Sequence, residues 1–174
     1  MKHFLIVVDI QNDFVDGALG TKEAESIITP ACLKIKNFNG DIFVTYDTHF
    51  ENYLTTAEGE RLPVEHCIKG TDGWQLNADI QRALSGKNYT AVEKLTFGST
   101  ELPELINKAA GEEDFDITLI GLCTDICVVS NALILKANFY DKRIIVDKNC
   151  CAGVTVESHN AALTTMQMCQ IEVV

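Results

Sequence analysis

The sequence has no apolar run approaching the ~18–20 residues of a membrane-spanning helix, so an embedded protein is not expected. It has no excess of basic charge either. Lysines and arginines number 14 against 25 aspartates and glutamates, a formal net charge of −11. Nucleic-acid binding needs a basic face to meet the phosphates, so that partner class is not expected. No small-residue cleavage site follows the apolar opening Phe4–Ile10, and no secretory signal is expected. The cysteines do not form an even-numbered disulfide framework: there are seven in 174 residues. A reducing cytoplasm is therefore the expected setting, and most of the seven should be small core residues. Repeats, low-complexity tracts and linkers are lacking too, so residues 1–174 are expected to form a single domain.

What is present is an ordinary globular profile, 47% hydrophobic and 22% charged. Apolar runs of strand length occupy His3–Ile10, Asp41–Asp47, Tyr89–Lys94, Asp116–Leu122 and Arg143–Asp147, with a short one at Ile171–Val174. Helical patterns lie between them. They cover Glu23–Phe38 with an interruption at Pro30, Glu101–Ala110 capped by Ser99 or Thr100, Thr124–Tyr140, and Thr155–Met168. Strands this apolar, separated by helices, predict a mainly parallel, Rossmann-like sheet covered on both faces, hence a three-layer α/β sandwich. Residues 48–88 differ. They are polar and irregular, and they carry His49, His66 and Trp74. A long loop inside a compact domain is usually functional.

Ligands of open α/β sheets bind beyond the carboxyl ends of the strands. There the sequence places Asp9, then Asp47-Thr48-His49, then Glu93-Lys94, then Cys123-Thr124-Asp125-Ile126-Cys127. Thr124 or Asp125 could cap the following helix and put Cys127 in its first turn. Free N–H groups and the positive dipole end would favour a thiolate and could hold an oxyanion. Taken singly, each residue has a plainer reading. Cys127 could be a core cysteine, Asp9 a cap for nearby amides, and Lys94 a solvated charge. Asp9 could also take a thiol proton as general base, and Lys94 could pair with it and tune both groups. Asp47, His49 and His66 are either loop residues satisfied by hydrogen bonds or a ligand set suited to zinc, iron or manganese. Cys67 is a weak candidate as a soft ligand. Cys123 precedes Cys127 by four residues, which is not the Cys-x-x-Cys redox spacing. His3 and His159 read as structural or exposed.

Together these residues resemble a known family. Asp9-Ile10-Gln11-Asn12-Asp13-Phe14 is similar to the opening motif of the isochorismatase-like cysteine hydrolases. Gly121-Leu122-Cys123-Thr124-Asp125-Ile126-Cys127-Val128 resembles their nucleophile motif, and Glu93-Lys94 with Phe97-Gly98-Ser99 their lysine motif. The order Asp, Lys, Cys is that of the family's triad. Within the family the likeness is to nicotinamidases, on Asp47-Thr48-His49 and on Pro63-Val64-Glu65-His66-Cys67-Ile68-Lys69-Gly70-Thr71. The resemblance implies a triad of Asp9, Lys94 and Cys127, and metal ligands Asp47, His49 and His66. It also implies an oxyanion hole from the amides of Cys123 and Cys127 after a cis Leu122–Cys123 bond.

The chain departs from the nicotinamidase pattern in three places. The further ligand, often His, is missing from residues 50–60, where Glu58 is the first replacement and Glu60 the next. The aromatic expected before the Pro-x-x-His segment is Leu62, leaving Phe14 as the stacking wall. Cys123 stands where the nucleophile motif often has Ala.

The expected reaction is hydrolysis of a small carboxamide, nicotinamide first, through a Cys127 thioester. A divalent metal, zinc before iron or manganese, and a homo-oligomer, dimer or tetramer, are implied with it. One alternative is an amidase for another carboxamide, carbamoyl or ureido compound. A vinyl-ether hydrolase of isochorismate type fits less well, since that chemistry needs no thiol. A redox-sensing or binding protein on the same scaffold is the non-enzymatic alternative.

Overall fold

The computed structural model describes residues 1–174. Its order of elements is β1 (Lys2–Val8), α1 (Asn12–Val15), α2 (Lys22–Ser26), α3 (Ile28–Asn37), β2 (Asp41–Asp47), α4 (Ala57–Arg61), α5 (Ala78–Leu84), β3 (Tyr89–Lys94), α6 (Leu102–Ala110), β4 (Phe115–Leu122), α7 (Val129–Asn138), β5 (Arg143–Ala152), α8 (Val156–Met168) and β6 (Glu172–Val173). A 3₁₀ turn at Tyr53–Thr55 precedes α4, and a π-type turn at Thr124–Val128 precedes α7.

The six strands form one sheet in the order β3-β2-β1-β4-β5-β6, and every pairing is parallel. Alternation along β1 sends Phe4, Ile6 and Val8 to one face and Leu5 and Val7 to the other. The first face packs on α6, α7 and α8 through residues such as Ile106, Leu135 and Met166. The second packs on α1, α2, α3 and α5 through Phe14, Ala24, Ile35 and Ile80. All five residues Phe4–Val8 are fully buried, and each large apolar side chain so buried contributes about 1.5–3 kcal/mol. No helix is long and apolar enough to cross a membrane.

The chain leaves β1 in one direction to build β2 and β3 and returns on the other side as β4, β5 and β6. The switch point is therefore between β1 and β4, where such sheets open a crevice at their carboxyl edge. Gly121 makes the two strands meet there. Its φ is +123°, and a Cβ would lie 2.1 Å from the Val8 carbonyl oxygen.

Several boundaries differ from the sequence expectation. The helix break falls at Ile27, and Pro30 sits inside the first turn of α3, where its missing N–H costs no helical bond. The N-cap of α6 is Glu101, although Ser99 Oγ still accepts from the Leu102 N–H at 3.2 Å. β5 runs on to Ala152, past the polar Asp147-Lys148-Asn149 that reads as its end. Lys148 and Asn149 stay exposed because the neighbouring β6 is only two residues long. Within residues 48–88 the chain forms α4 and α5, short elements whose patterns the polar residues hide.

Candidate active site

β1 delivers Asp9 just past its last residue, in the left-handed region at φ +46°. Asp is one of the few residues that tolerates this conformation. β2 ends on Asp47 and β3 on Lys94, and these two are register partners across adjacent strands. β4 leads into the π-type turn that carries Cys127, after a Leu122–Cys123 peptide bond that is cis.

The side chains converge below the surface. Lys94 Nζ lies 2.6 Å from Asp9 Oδ2, 3.3 Å from Asp47 Oδ1 and 3.5 Å from Cys127 Sγ. Lys94 is 3% exposed, which rules out its reading as a solvated strand-end charge. The Thr45 hydroxyl donates to Asp9 Oδ1 at 2.6 Å. Asp9 Oδ2 has the ionic contact with Lys94 but no aligned hydrogen-bond donor.

Burial pushes the Asp9 carboxyl above its ordinary range, with Lys94 opposing. Burial also pushes the Cys127 thiol well up, and the Asp9 carboxylate adds to this while Lys94 opposes it. Burial works against the Lys94 ammonium, but Asp9, Cys127 and Asp47 outweigh it and hold the charge. The thiolate that a helix end would favour is opposed by burial, the largest influence on the Cys127 thiol. The expected cap is corrected. The Asp125 carboxylate accepts from the Val154 N–H at 3.1 Å and from Ser158 Oγ, and Thr124 Oγ1 lies 2.8 Å from His159 Nδ1. Both side chains tie the turn that carries Cys127 to the start of α8.

A second group adjoins the first. Asp47, His49, Glu58 and His66 place their ligand atoms within 4.8 Å of one another. His49 Nε2 lies 3.1 Å from Asp47 Oδ2 and 3.7 Å from Glu58 Oε1. His66 Nε2 lies 3.6 and 3.7 Å from the same two oxygens. His66 Nδ1 is 2.8 Å from the Val64 carbonyl oxygen. That bond makes Nδ1 the donor and turns the Nε2 lone pair into the group, as a ligating imidazole requires. The Asp, Glu and two-His donor set, with its ligand atoms gathered this closely, fits a divalent cation. Burial raises the Asp47 carboxyl, but His49, His66 and Lys94 together bring it below the usual range. Glu60 is exposed and, like Cys67, stands outside the group.

Residues without an expected role hold this geometry. The buried Gln11 donates to the Asp47 and Trp74 carbonyls at 2.9 and 2.8 Å and accepts the Asp47 N–H at 2.8 Å. Asp13 accepts the Cys67 N–H at 2.8 Å and so fixes the residue after His66. Tyr53 packs its ring 4.7 Å from His49 and 5.0 Å from His66. Asn131 accepts the Ser99 N–H and donates to the carbonyls of Phe97 and Cys127, stapling the loop after β3 to α7 and the turn before it. Gln11 and Asp13 lie inside the opening motif. The signal for Thr45 is the one aliphatic hydroxyl in the apolar strand Ile42–Tyr46.

Both groups open into one cavity of about 700 Å³, lined also by Phe14, Leu62 and Cys123. Burial pushes the Cys123 thiol up to about 12, with Asp125 adding to it.

The isochorismatase domain model matches residues 3–174. An uncharacterized isochorismatase family protein, PncA, of Bacillus subtilis is 33% identical, covering 94% of this chain and 93% of its own. A solved pyrazinamidase/nicotinamidase of Streptococcus mutans superposes with a TM-score of 0.84 at 26% identity, over 99% of this chain and 100% of that one. The pyrazinamidase of Pyrococcus horikoshii in complex with zinc gives 0.80 at 25%, over 100% and 99%. The N-carbamoylsarcosine amidase of Thermoplasma acidophilum gives 0.78 at 28%, over 99% and 95%.

Proposed function

The chain belongs to the isochorismatase family, and on that premise we propose that it is a cysteine amidohydrolase of nicotinamidase type, hydrolysing a small carboxamide through Cys127. The observation that carries the reading is that Cys127, which lines the cavity, is backed by Lys94, whose ammonium also contacts Asp9. A thiol and carboxylate both raised by burial are poised for proton transfer rather than for permanent charge separation.

Asp9 takes the thiol proton through its oxygen that lacks an aligned donor. Lys94 stabilises the thiolate as it forms. Sulfur attacks the carboxamide carbon, and the amides of Cys123 and Cys127 receive the oxyanion. The tetrahedral adduct collapses to a thioester, and Asp9 returns its proton to the departing ammonia. A water, losing a proton to Asp9, then adds to the thioester, and the acid leaves with the thiol restored. Phe14 walls the substrate ring, with Leu62 across from it. Asp47, His49, Glu58 and His66 would hold a divalent cation, zinc first, which when bound supplies a coordination point for a ring nitrogen of the substrate.

Ammonia release from nicotinamide tests the reading. The Cys127→Ala protein should release none above background while keeping its thermal transition, and turnover at the wild-type rate would remove Cys127 from the mechanism. A second reading, hydrolysis of a carbamoyl or ureido compound, is favoured by Leu62 in place of an aromatic wall and by the likeness to the carbamoylsarcosine amidase. Ammonia release from a carbamoyl substrate but not from nicotinamide would select it.

A further inference from the structure

The cavity is large for a single-ring amide. Its volume of about 700 Å³ sits well inside the ~300–1,000 Å³ range of pockets that enclose drug-sized ligands. Its walls beyond the reacting groups are mainly apolar, with Thr21, Thr56 and Thr96 among them, and Leu62, Leu95, Phe97 and Val154 line it and stay 38%, 69%, 42% and 52% exposed. Four exposed apolar side chains around one opening are surface left for a ligand to cover.

The same wall carries one cation outside the reacting groups, Arg61, at the end of α4. It follows Glu58 by three residues, so both side chains lie on the same helix face, and both line the cavity. The chain has three arginines. Arg82 pairs with Asp79 and Arg143 with Glu172. Arg61 pairs with no carboxylate, in a chain where acidic residues outnumber basic ones 25 to 14. It is exposed, whereas Cys127 at the floor is 4% exposed. A guanidinium at the mouth of an apolar cavity, with its donors unspent, matches a planar anion in two-pronged fashion.

We propose that the substrate is an elongated carboxamide, apolar in its middle and bearing a carboxylate at its far end, which Arg61 binds at the cavity mouth. This rests on the reading of Cys127 as the amide-cleaving nucleophile and narrows its substrate class. Nicotinamide would be a short member of the accepted set.

The probes are the monoamide of a linear dicarboxylic acid, suberamic acid, and its neutral methyl ester. Their dissociation constants are measured by calorimetry on the metal-loaded Cys127→Ala protein, with and without Arg61→Gln. This readout needs no turnover, so failure of the proposed reaction is seen separately, in ammonia release by the unaltered protein. The acid should bind at least tenfold more tightly than the ester, about 1.4 kcal/mol. Arg61→Gln should bring the ratio near one, and Arg61→Lys should restore part of it. A ratio near one with Arg61 present overturns the proposal. So does a preference that survives Arg61→Gln, since the carboxylate would then be held by the metal corner. Failure of both probes to bind overturns it as well.

Discussion

The two corners of the cavity are built on different principles. The thiol corner is strand-borne: Asp9, Lys94 and the turn with Cys127 extend directly from β1, β3 and β4. It balances much of its own charge, since Lys94 contacts both Asp9 and Asp47. The metal corner takes only Asp47 from a strand end. His49, Glu58 and His66 come from the segment after β2, which is held down by side chains of the opening motif. Two of its four members, Asp47 and Glu58, are carboxylates, and of these only Asp47 contacts Lys94. The first corner is preorganised by the sheet, whereas the second rests on loop hydrogen bonds and on the cation proposed for it, so the two should fail differently.

The largest effect should come from Cys127→Ala, which is expected to lower kcat by roughly 10⁴-fold or more with little change in metal content. Loss of metal from this variant, measured by elemental analysis, would show that the corners are not separable. Removing the ion by chelation should come next. Activity should fall and the thermal transition should move down, then recover with added zinc in a concentration-dependent way, as binding to the native state alone requires. An unchanged transition would mean that the loop does not depend on a cation.

Gln11→Ala probes the join between the corners. Loss of the clamp on the Asp47 backbone should cost about 10–100-fold in metal affinity, read by competition with a chelating dye, with a smaller fall in kcat at saturating metal. An equal fall in kcat at saturation would place Gln11 with the thiol corner instead. Thr45→Val should have the smallest effect. It removes the hydroxyl that donates to Asp9 Oδ1 and accepts from the Asp9 N–H, each such bond being worth about 0.5–1.5 kcal/mol, and should lower kcat by about tenfold or less without touching metal affinity.

The strand-borne corner was legible in the sequence because strand ends are where apolar runs stop. Asp9, Asp47, Lys94 and the segment to Cys127 each follow such a run, and parallel topology alone sends them to one edge. β2 and β3 were found to the residue. The loop-borne corner was less legible. His49 and His66 are separated by a polar stretch in which the 3₁₀ turn and α4 bury few apolar residues and leave no clear period. Glu58 and Glu60 could not be told apart by type. Only the fold of α4 turns Glu58 toward the histidines and leaves Glu60 in solvent. What the positioning residues Gln11, Thr45 and Asn131 hold in place was not legible, because the role of a buried amide or hydroxyl is defined by partners far away in the chain.

By itself, then, the sequence determined the three-layer α/β class, the strands and the residues at their ends, since hydrophobic periodicity and the sheet's direction follow from local chemistry. The tertiary structure decided what those residues do to one another. It buried Cys127 and Asp9, so that desolvation opposes charge on both. It set one ammonium among two carboxylates and a sulfur, and it left Arg61 unpaired beside an apolar cavity. Such effects depend on distance and on the exclusion of water, and both arise only when strands separated in the chain are brought side by side.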